Sequence, residues 1–281
     1  MTTLNSTIVF SDVARALAED VGAGDVSAGL LSSDLVVQAQ IISREPMLVC
    51  GKAWVDAVFA TINPALQLDW LVDDGDWVAE PTTLCLVNGL AKDILTAERC
   101  ALNFLQTLSG TATQTHQYVL QLKNTATKLL DTRKTIPGLR YAQKYAVLCG
   151  GGSNHRMGLY DAFLIKENHI VACGSISLAI ERARLSHPDL FVEVEVETLD
   201  ELREALAAKP DRILLDNFTL DGLREAVALN QPRCCYLEAS GGIDLTTIKH
   251  VAETGVDYIS VGAITKSVRA IDLSLLIRTI Q

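Results

Sequence analysis

The chain has 281 residues, 49% of them apolar and only 5% aromatic, so it can bury a sizeable core built mostly from Leu, Val, Ile and Ala. Its formal net charge of −10 argues against a nucleic-acid or anionic-membrane partner. No apolar stretch reaches the length of a membrane span, and the opening MTTLNSTIVF lacks the basic-then-apolar order of a secretory signal, so a cytoplasmic protein is expected. Seven cysteines is an odd number with no metal-type spacing, and the adjacent pair Cys234-Cys235 cannot share one tetrahedral ion; reduced core thiols are expected.

Residues 11–20 place apolar side chains at helical spacing, and residues 21–27 form a turn-rich loop. Residues 36–42 alternate as a strand does. Residues 53–62 predict a helix, stopped by Asn63-Pro64. Residues 66–85 predict strands around a hairpin-type signal at Asp74-Gly75. This irregular mixture reads as a separate α+β unit. A helix is predicted to open at Thr96 as N-cap and to run through Arg99, Leu102, Leu105 and Leu108, with Ser109-Gly110 interrupting it.

From residue 128 the rhythm becomes strand, loop, helix. Six apolar runs, at 129–131, 162–165, 191–196, 213–215, 236–239 and 258–261, each end in a charged or glycine-bearing cluster. Helical segments fall at 177–185, 199–208, 220–229 and 245–254. Strands separated by helices imply parallel pairing. Six strands is fewer than the eight of a complete (β/α)₈ barrel, which favours a smaller or incomplete α/β barrel, with a doubly wound open sheet as the alternative. In a barrel the chemistry gathers where the strands end.

Those ends are charged. Residues 131–170 carry six basic residues (Arg133, Lys134, Arg140, Lys144, Arg156 and Lys166) against Asp131, Asp161 and Glu167, a local +3 inside an acidic chain. His155 and His169 lie there too. Such a field suggests an anionic substrate with several carboxylates or phosphates. Gly150-Gly151-Gly152 before Ser153-Asn154-His155-Arg156 could let backbone N–H groups approach an anion, or be a flexible loop. Ser240-Gly241-Gly242 and Val261-Gly262-Ala263 end two later strands as a phosphate cradle would. Glu193, Glu195 and Glu197 alternate with valines, which aims all three into the barrel. Asp216 could join Glu195 in holding Mg²⁺ beside a diphosphate. Lys166 could form a Schiff base or anchor a carboxylate, and its Arg and His neighbours favour the anchor. His116, His187 and His250 read as surface or packing residues.

Three motifs, D131-T-R-K-T-I-P-G-L-R140, G150-G-G-S-N-H-R-M-G-L159 and L164-I-K-E-N-H169, together with E19-D-V-G-A-G-D25 and T96-A-E-R99, resemble the quinolinate phosphoribosyltransferase family, also called nicotinate-nucleotide pyrophosphorylase (carboxylating). The resemblance covers nearly the whole chain. It implies an α/β fold: an N-terminal α/β sandwich domain over 1–108, joined by 266–281, and a six-stranded parallel α/β barrel over 109–265. It implies transfer of a phosphoribosyl group from phosphoribosyl pyrophosphate to quinolinate, with release of pyrophosphate and CO₂, in de novo NAD synthesis. It also implies a homodimer in which Arg99 reaches the partner's pocket, and Mg²⁺ held by Glu195 and Asp216. By motif, Arg133, His155, Arg156 and Lys166, with Thr132, line the quinolinate pocket. Lys134, Glu195 and Asp216 are the catalytic positions. Ser240, Gly241, Gly242, Val261, Gly262 and Ala263 serve the phosphates. One departure is Lys266, where many members have histidine; lysine keeps a charge and loses a titratable ring. A related barrel associated with molybdenum transport departs from the Asn154-His155-Arg156 and Lys166-Glu167-Asn168-His169 patterns kept here. A non-catalytic binding module would have no reason to keep Lys134, Glu195 and Asp216 together.

Overall fold

The computed structural model describes residues 4–79 and 81–280; Met1, Thr2 and Thr3 of the opening segment, Glu80 of the expected hairpin region and Gln281 of the terminal segment lie outside the described residues. The chain forms two compact units. The first takes residues up to His116, Ile136–Gly150 and the residues from Ser267 onward; the second takes Gln117–Thr135 and Gly151–Lys266. Residues 109–116 and 136–150, within the range expected for the barrel, therefore pack with the first unit.

The first unit contains α1 (Ser6–Asp20), β1 (Val36–Ser43), β2 (Met47–Leu48), α2 (Lys52–Ile62), β3 (Gln67–Trp70), β4 (Trp77–Val78), β5 (Thr82–Leu90), the start of α3 (Ala91–Gln121), α4 (Arg140–Cys149) and the last strand, β12 (Leu273–Ile280). Its antiparallel sheet runs β12-β1-β5-β3. The apolar side chains Val9, Val13 and Leu17 of α1, Trp54 and Phe59 of α2, Ile41 of β1, Leu84 of β5 and Leu102 and Leu105 of α3 belong to one buried cluster, the core of a helix-on-sheet sandwich. Each fully buried Leu or Phe contributes roughly 1.5–3 kcal/mol.

Three local expectations are corrected here. α3 starts at Ala91, not Thr96. Thr96 is interior: its hydroxyl bonds the Lys92 carbonyl at 2.8 Å and the Asp25 carboxylate at 3.0 Å. Ser109-Gly110 does not interrupt the helix. The Ser109 hydroxyl bonds the backbone of Cys50, and a Cβ at Gly110 would meet the Arg269 carbonyl oxygen at 2.2 Å, so both are small for close packing. Finally, Asp74-Gly75 does not join a simple hairpin. β3 pairs with β5 and β4 with β2, and the Asp74 carboxylate instead accepts the Gly51 and Lys52 N–H groups at the start of α2.

The second unit contains β6 (Lys128–Leu130), β7 (Ala162–Ile165), α5 (Glu167–Cys173), α6 (Ile176–Ser186), β8 (Phe191–Val196), α7 (Leu199–Ala208), β9 (Arg212–Asp216), α8 (Leu220–Leu229), β10 (Tyr236–Ser240), α9 (Ile248–Ala252), β11 (Tyr258–Ser260) and α10 (Ala263–Lys266). α9 is shorter than the expected 245–254. The six strands are parallel, in the order β6-β11-β10-β9-β8-β7. This is chain order taken cyclically, with no reversal. A doubly wound sheet has a reversal at its switch point; an incomplete barrel does not. Val192, Val194 and Val196 are buried on the face of β8 opposite the glutamates, where α6 and α7 pack. The outer edge of β6 is covered by the loop at Ser153, which bridges Leu130 in parallel.

Candidate active site

That bridge builds one wall of the site. Ser153 N–H donates to the Leu129 carbonyl at 2.8 Å, and Asp131 N–H donates to the Ser153 carbonyl at 3.1 Å. The Asp131 carboxylate, wholly buried, accepts the His155 N–H at 2.8 Å. The loop is thus laid along β6, and His155 and Arg156 are delivered beside Arg133 and Lys134. Thr132 and Thr265 fix the next turn: Lys134 N–H donates to the Thr132 hydroxyl at 3.0 Å, and the Thr265 hydroxyl donates to the Lys134 carbonyl at 2.8 Å.

The result is a cleft of about 440 Å³ at the strand ends, lined by Thr132, Arg133, Lys134, His155, Arg156, Lys166, Glu195, Asp216 and Ser240, with Leu164, Leu214, Glu238 and Ser260. Nine of the residues singled out from the sequence meet there. Arg156 is half-buried in it. Its Nη1 donates to the Ala162 carbonyl at 3.2 Å, while its Nε is buried with no hydrogen-bond partner among the described residues. Burial, and then the Arg133 charge beside it, hold the Arg156 guanidinium below its ordinary pKa. A buried donor without an acceptor next to a second cation is a costly arrangement that a bound carboxylate would relieve. Lys166, at the end of β7, is ion-paired with Glu195, at the end of β8. That contact suits a charged anchor rather than a Schiff-base amine.

Asp216, at the end of β9, accepts an N–H from Asn217 at 2.7 Å. Asn217 itself holds a left-handed φ of 57°, and a Cβ on Gly241, whose φ is 99°, would sit 2.1 Å from its side-chain oxygen. Only glycine fits where these strand ends close on each other. Gly241 and Gly242 line an adjoining hollow with Ser240 rather than the cleft. Gly262 backs Lys134, its Cβ position lying 3.0 Å from the lysine Cδ; Val261 is buried, and Ala263 opens α10. Glu195 and Asp216 offer hard oxygen donors from neighbouring strands to one cleft. That fits Mg²⁺, which takes one or two carboxylates and completes its shell with phosphate and water oxygens.

Other candidates lie elsewhere. Glu197 follows β8, is exposed, and its N–H donates to Glu201, so it does not point into the barrel. Lys144 is wholly buried on α4, so the +3 of residues 131–170 is not all site charge. Arg99 lies on α3 in the first unit with its side chain 58% exposed and Glu98 3.8 Å away. Lys266 is exposed at the end of α10. His116 packs on Trp77, and His187 and His250 are exposed.

The structure adds Arg212 and Glu238, which the sequence did not single out, beside Glu193, which it did. Arg212 Nη1 meets the Glu238 carboxylate at 2.7 Å and lies 4.0 Å from that of Glu193. Glu193 accepts from His155 Nε2 at 2.9 Å, and Glu238 lies 3.7 Å from the same nitrogen. Burial pushes both Glu193 and Glu238 up to about 7. Strand parity could have found them: Glu238 is two residues before Ser240, and Arg212 is four before Asp216.

Family models described as "Quinolinate phosphoribosyl transferase, N-terminal domain" and "Quinolinate phosphoribosyl transferase, C-terminal domain" match residues 25–109 and 111–276. The chain is 41% identical over 258 residues to a probable nicotinate-nucleotide pyrophosphorylase [carboxylating] of Bacillus subtilis, covering 92% of this chain and 89% of that protein. It is 41% identical over 272 residues to the nicotinate-nucleotide pyrophosphorylase [carboxylating] of Mycobacterium leprae, covering 94% and 95%. The structure of the nicotinate-nucleotide pyrophosphorylase from Francisella tularensis superposes with a TM-score of 0.95 at 47% identity, covering 98% of each chain. The chain belongs to the quinolinate phosphoribosyl transferase family.

Proposed function

We propose that this chain transfers the phosphoribosyl group of phosphoribosyl pyrophosphate to quinolinate and releases pyrophosphate, CO₂ and nicotinate mononucleotide, a step of de novo NAD synthesis. The observation that carries this reading is the buried Arg156 Nε, without a hydrogen-bond partner among the described residues, in a cleft shared with Arg133, Lys166, Glu195 and Asp216. Two adjacent carboxylates on a pyridine match the cations. Glu195 and Asp216 suit Mg²⁺ and the positive charge that develops on the ribose, and Lys134 suits the diphosphate, with Ser240, Gly241 and Gly242 lining the adjoining hollow.

In this mechanism Thr132, Arg133, His155, Arg156 and Lys166 form the quinolinate end. A quinolinate carboxylate would draw Lys166 from Glu195 and leave Glu195 facing the ribose. As the C1–pyrophosphate bond breaks, Glu195 and Asp216 stabilise the positive charge on the ribose, and Lys134 offsets the negative charge on the leaving oxygens. Ser240, Gly241, Gly242, Val261, Gly262 and Ala263 serve the phosphates. Mg²⁺ held by Glu195 and Asp216 would supply further charge neutralisation on the diphosphate. Once the ring nitrogen is ribosylated, the pyridinium charge stabilises the carbanion left on the ring carbon as CO₂ departs, and a proton taken up there from solvent water completes nicotinate mononucleotide, so no covalent nucleophile is needed. The working form in this reading is a cytoplasmic homodimer with Arg99 supplied by the partner; the exposed Val26 and Leu30, in the same hollow of the first unit as Arg99, support a covered face there. Incubation with quinolinate, phosphoribosyl pyrophosphate and Mg²⁺ should yield nicotinate mononucleotide and CO₂ in equal amounts. Absence of either product overturns the proposal.

A further inference from the structure

We infer that Arg212, Glu193 and Glu238 are positioning residues for the dicarboxylate end of the cleft, holding His155 as a neutral imidazole that fixes the backbone of Arg156. The inference rests on the function proposed above. Its geometry begins at the two ring nitrogens. Nδ1 of His155 accepts the Arg156 N–H at 2.7 Å and so carries no proton. With Nδ1 an acceptor, the one proton of the ring sits on Nε2, which lies 2.9 Å from the Glu193 carboxyl group. Both nitrogens are committed inside the protein. His155 therefore offers no ring N–H to a substrate carboxylate, although it lines the cleft. Its work is to set the backbone from which the Arg156 guanidinium reaches out, and the charges for the two carboxylates come from Arg133, Arg156 and Lys166.

The imidazole is in turn held from below. Glu193 and Glu238 are 1% and 0% exposed, so neither can be oriented by bulk water. Arg212 orients them: Nη1 contacts Glu238 at 2.7 Å, and the guanidinium lies 4.3 Å from the Tyr258 ring centroid and 5.1 Å from that of Phe191. A planar cation packed against two rings is restricted in orientation. The chain of contacts runs Arg212, Glu238 and Glu193, His155, Arg156 N–H. Arg212 does not line the cleft, so its effect passes through Glu238 and Glu193.

Two measurements test this. In ¹⁵N-labelled protein, long-range ring couplings distinguish the two neutral tautomers and the imidazolium, and the chain has only five histidines to assign. At about pH 7 His155 should be the neutral Nε2–H form. A proton on Nδ1, alone or in an imidazolium, overturns the inference. The second measurement is steady-state kinetics of Arg212→Met and the milder Arg212→Lys. Quinolinate KM should rise about tenfold in Arg212→Met, the lower end of what losing an orienting partner costs a ligating group. Phosphoribosyl pyrophosphate KM should stay within about twofold. Equal rises in both, as a merely structural role would give, or no rise in either, overturn it. If Arg212→Met does not fold, Arg212→Lys and Tyr258→Leu must still show the split. Failure of the wild type to bind quinolinate would defeat the proposed function instead, and the tautomer would remain a separate test of the geometry.

Discussion

Arg156 and Asp216 lie in one cleft and face opposite chemical tasks, so single substitutions should separate them. Arg156→Ala removes a charged donor to the substrate and should weaken quinolinate binding by about 1.5–3 kcal/mol, with little effect on phosphoribosyl pyrophosphate. Asp216→Ala should do the reverse in the presence of Mg²⁺. Calorimetric titration of each variant with each ligand checks this; two variants that both spare quinolinate would show the assignment to be wrong. Glu193 and Glu238 make a different prediction. Burial raises both to about 7 from an ordinary 4.5. Below pH 4.5 folded and unfolded chains both hold these protons, and the contribution to stability is complete. Between 4.5 and 7 the unfolded chain releases what the folded chain keeps, so stability falls as pH rises, by roughly 1.4 kcal/mol per pH unit for each retained proton. Glu238→Gln cannot titrate at that position. Its stability relative to wild type should therefore improve from pH 5 to pH 7 in urea melts, and parallel curves would contradict the assignment. Arg133, Arg156 and Lys166 were legible because each follows a turn or apolar run at a strand end. Arg212 and Glu238 were not, because they lie within strands, where a charge is recognised as buried only once its partners on neighbouring strands are known.

At the scale of elements, legibility follows capping chemistry. The limits of α7 and α8 match their sequence signals because Thr198 and Thr219 accept the Glu201 and Gly222 N–H groups at the first turn. In α7 the Glu201 carboxylate also accepts the Thr198 N–H at 3.1 Å, completing a reciprocal cap just after the strand that carries Glu195. Thr198→Ala should cost about 1 kcal/mol of stability and leave both KM values unchanged. Denaturation and kinetics on one preparation check it, and a loss of activity without a loss of stability would contradict the reading of Thr198 as a cap alone. Thr96 misled because a threonine hydroxyl bonds a carbonyl four residues back as readily as it caps a helix. β4 misled because its partner, β2, is two residues long and carries no pattern of its own.

For the whole molecule, the cyclic strand order was foreshadowed by the strand-helix rhythm, since short crossovers between parallel strands keep sequential strands adjacent. The return of β12 to pair with β1 rests on contacts more than 200 residues apart in sequence, which no local signal encodes. The proposed dimer has a complementation test. If Arg99 serves the partner's pocket, refolding inactive Arg99→Ala with inactive Lys166→Ala yields mixed dimers with one site carrying both lesions and one carrying neither. Random pairing makes about half the dimers mixed, so activity should return to about a quarter of wild type. No recovery, with mixed dimers present by mass spectrometry, would refute the cross-subunit role. The central claim is that the cleft selects a dicarboxylate and decarboxylates it on the ribosylated ring. The most direct measurement supplies quinolinate and nicotinate in parallel, each with phosphoribosyl pyrophosphate and Mg²⁺, and follows nicotinate mononucleotide and CO₂. Quinolinate should give both products and nicotinate almost none, because it leaves part of the Arg133, Arg156 and Lys166 cluster unpaired. Equal turnover of the two acids would contradict the account.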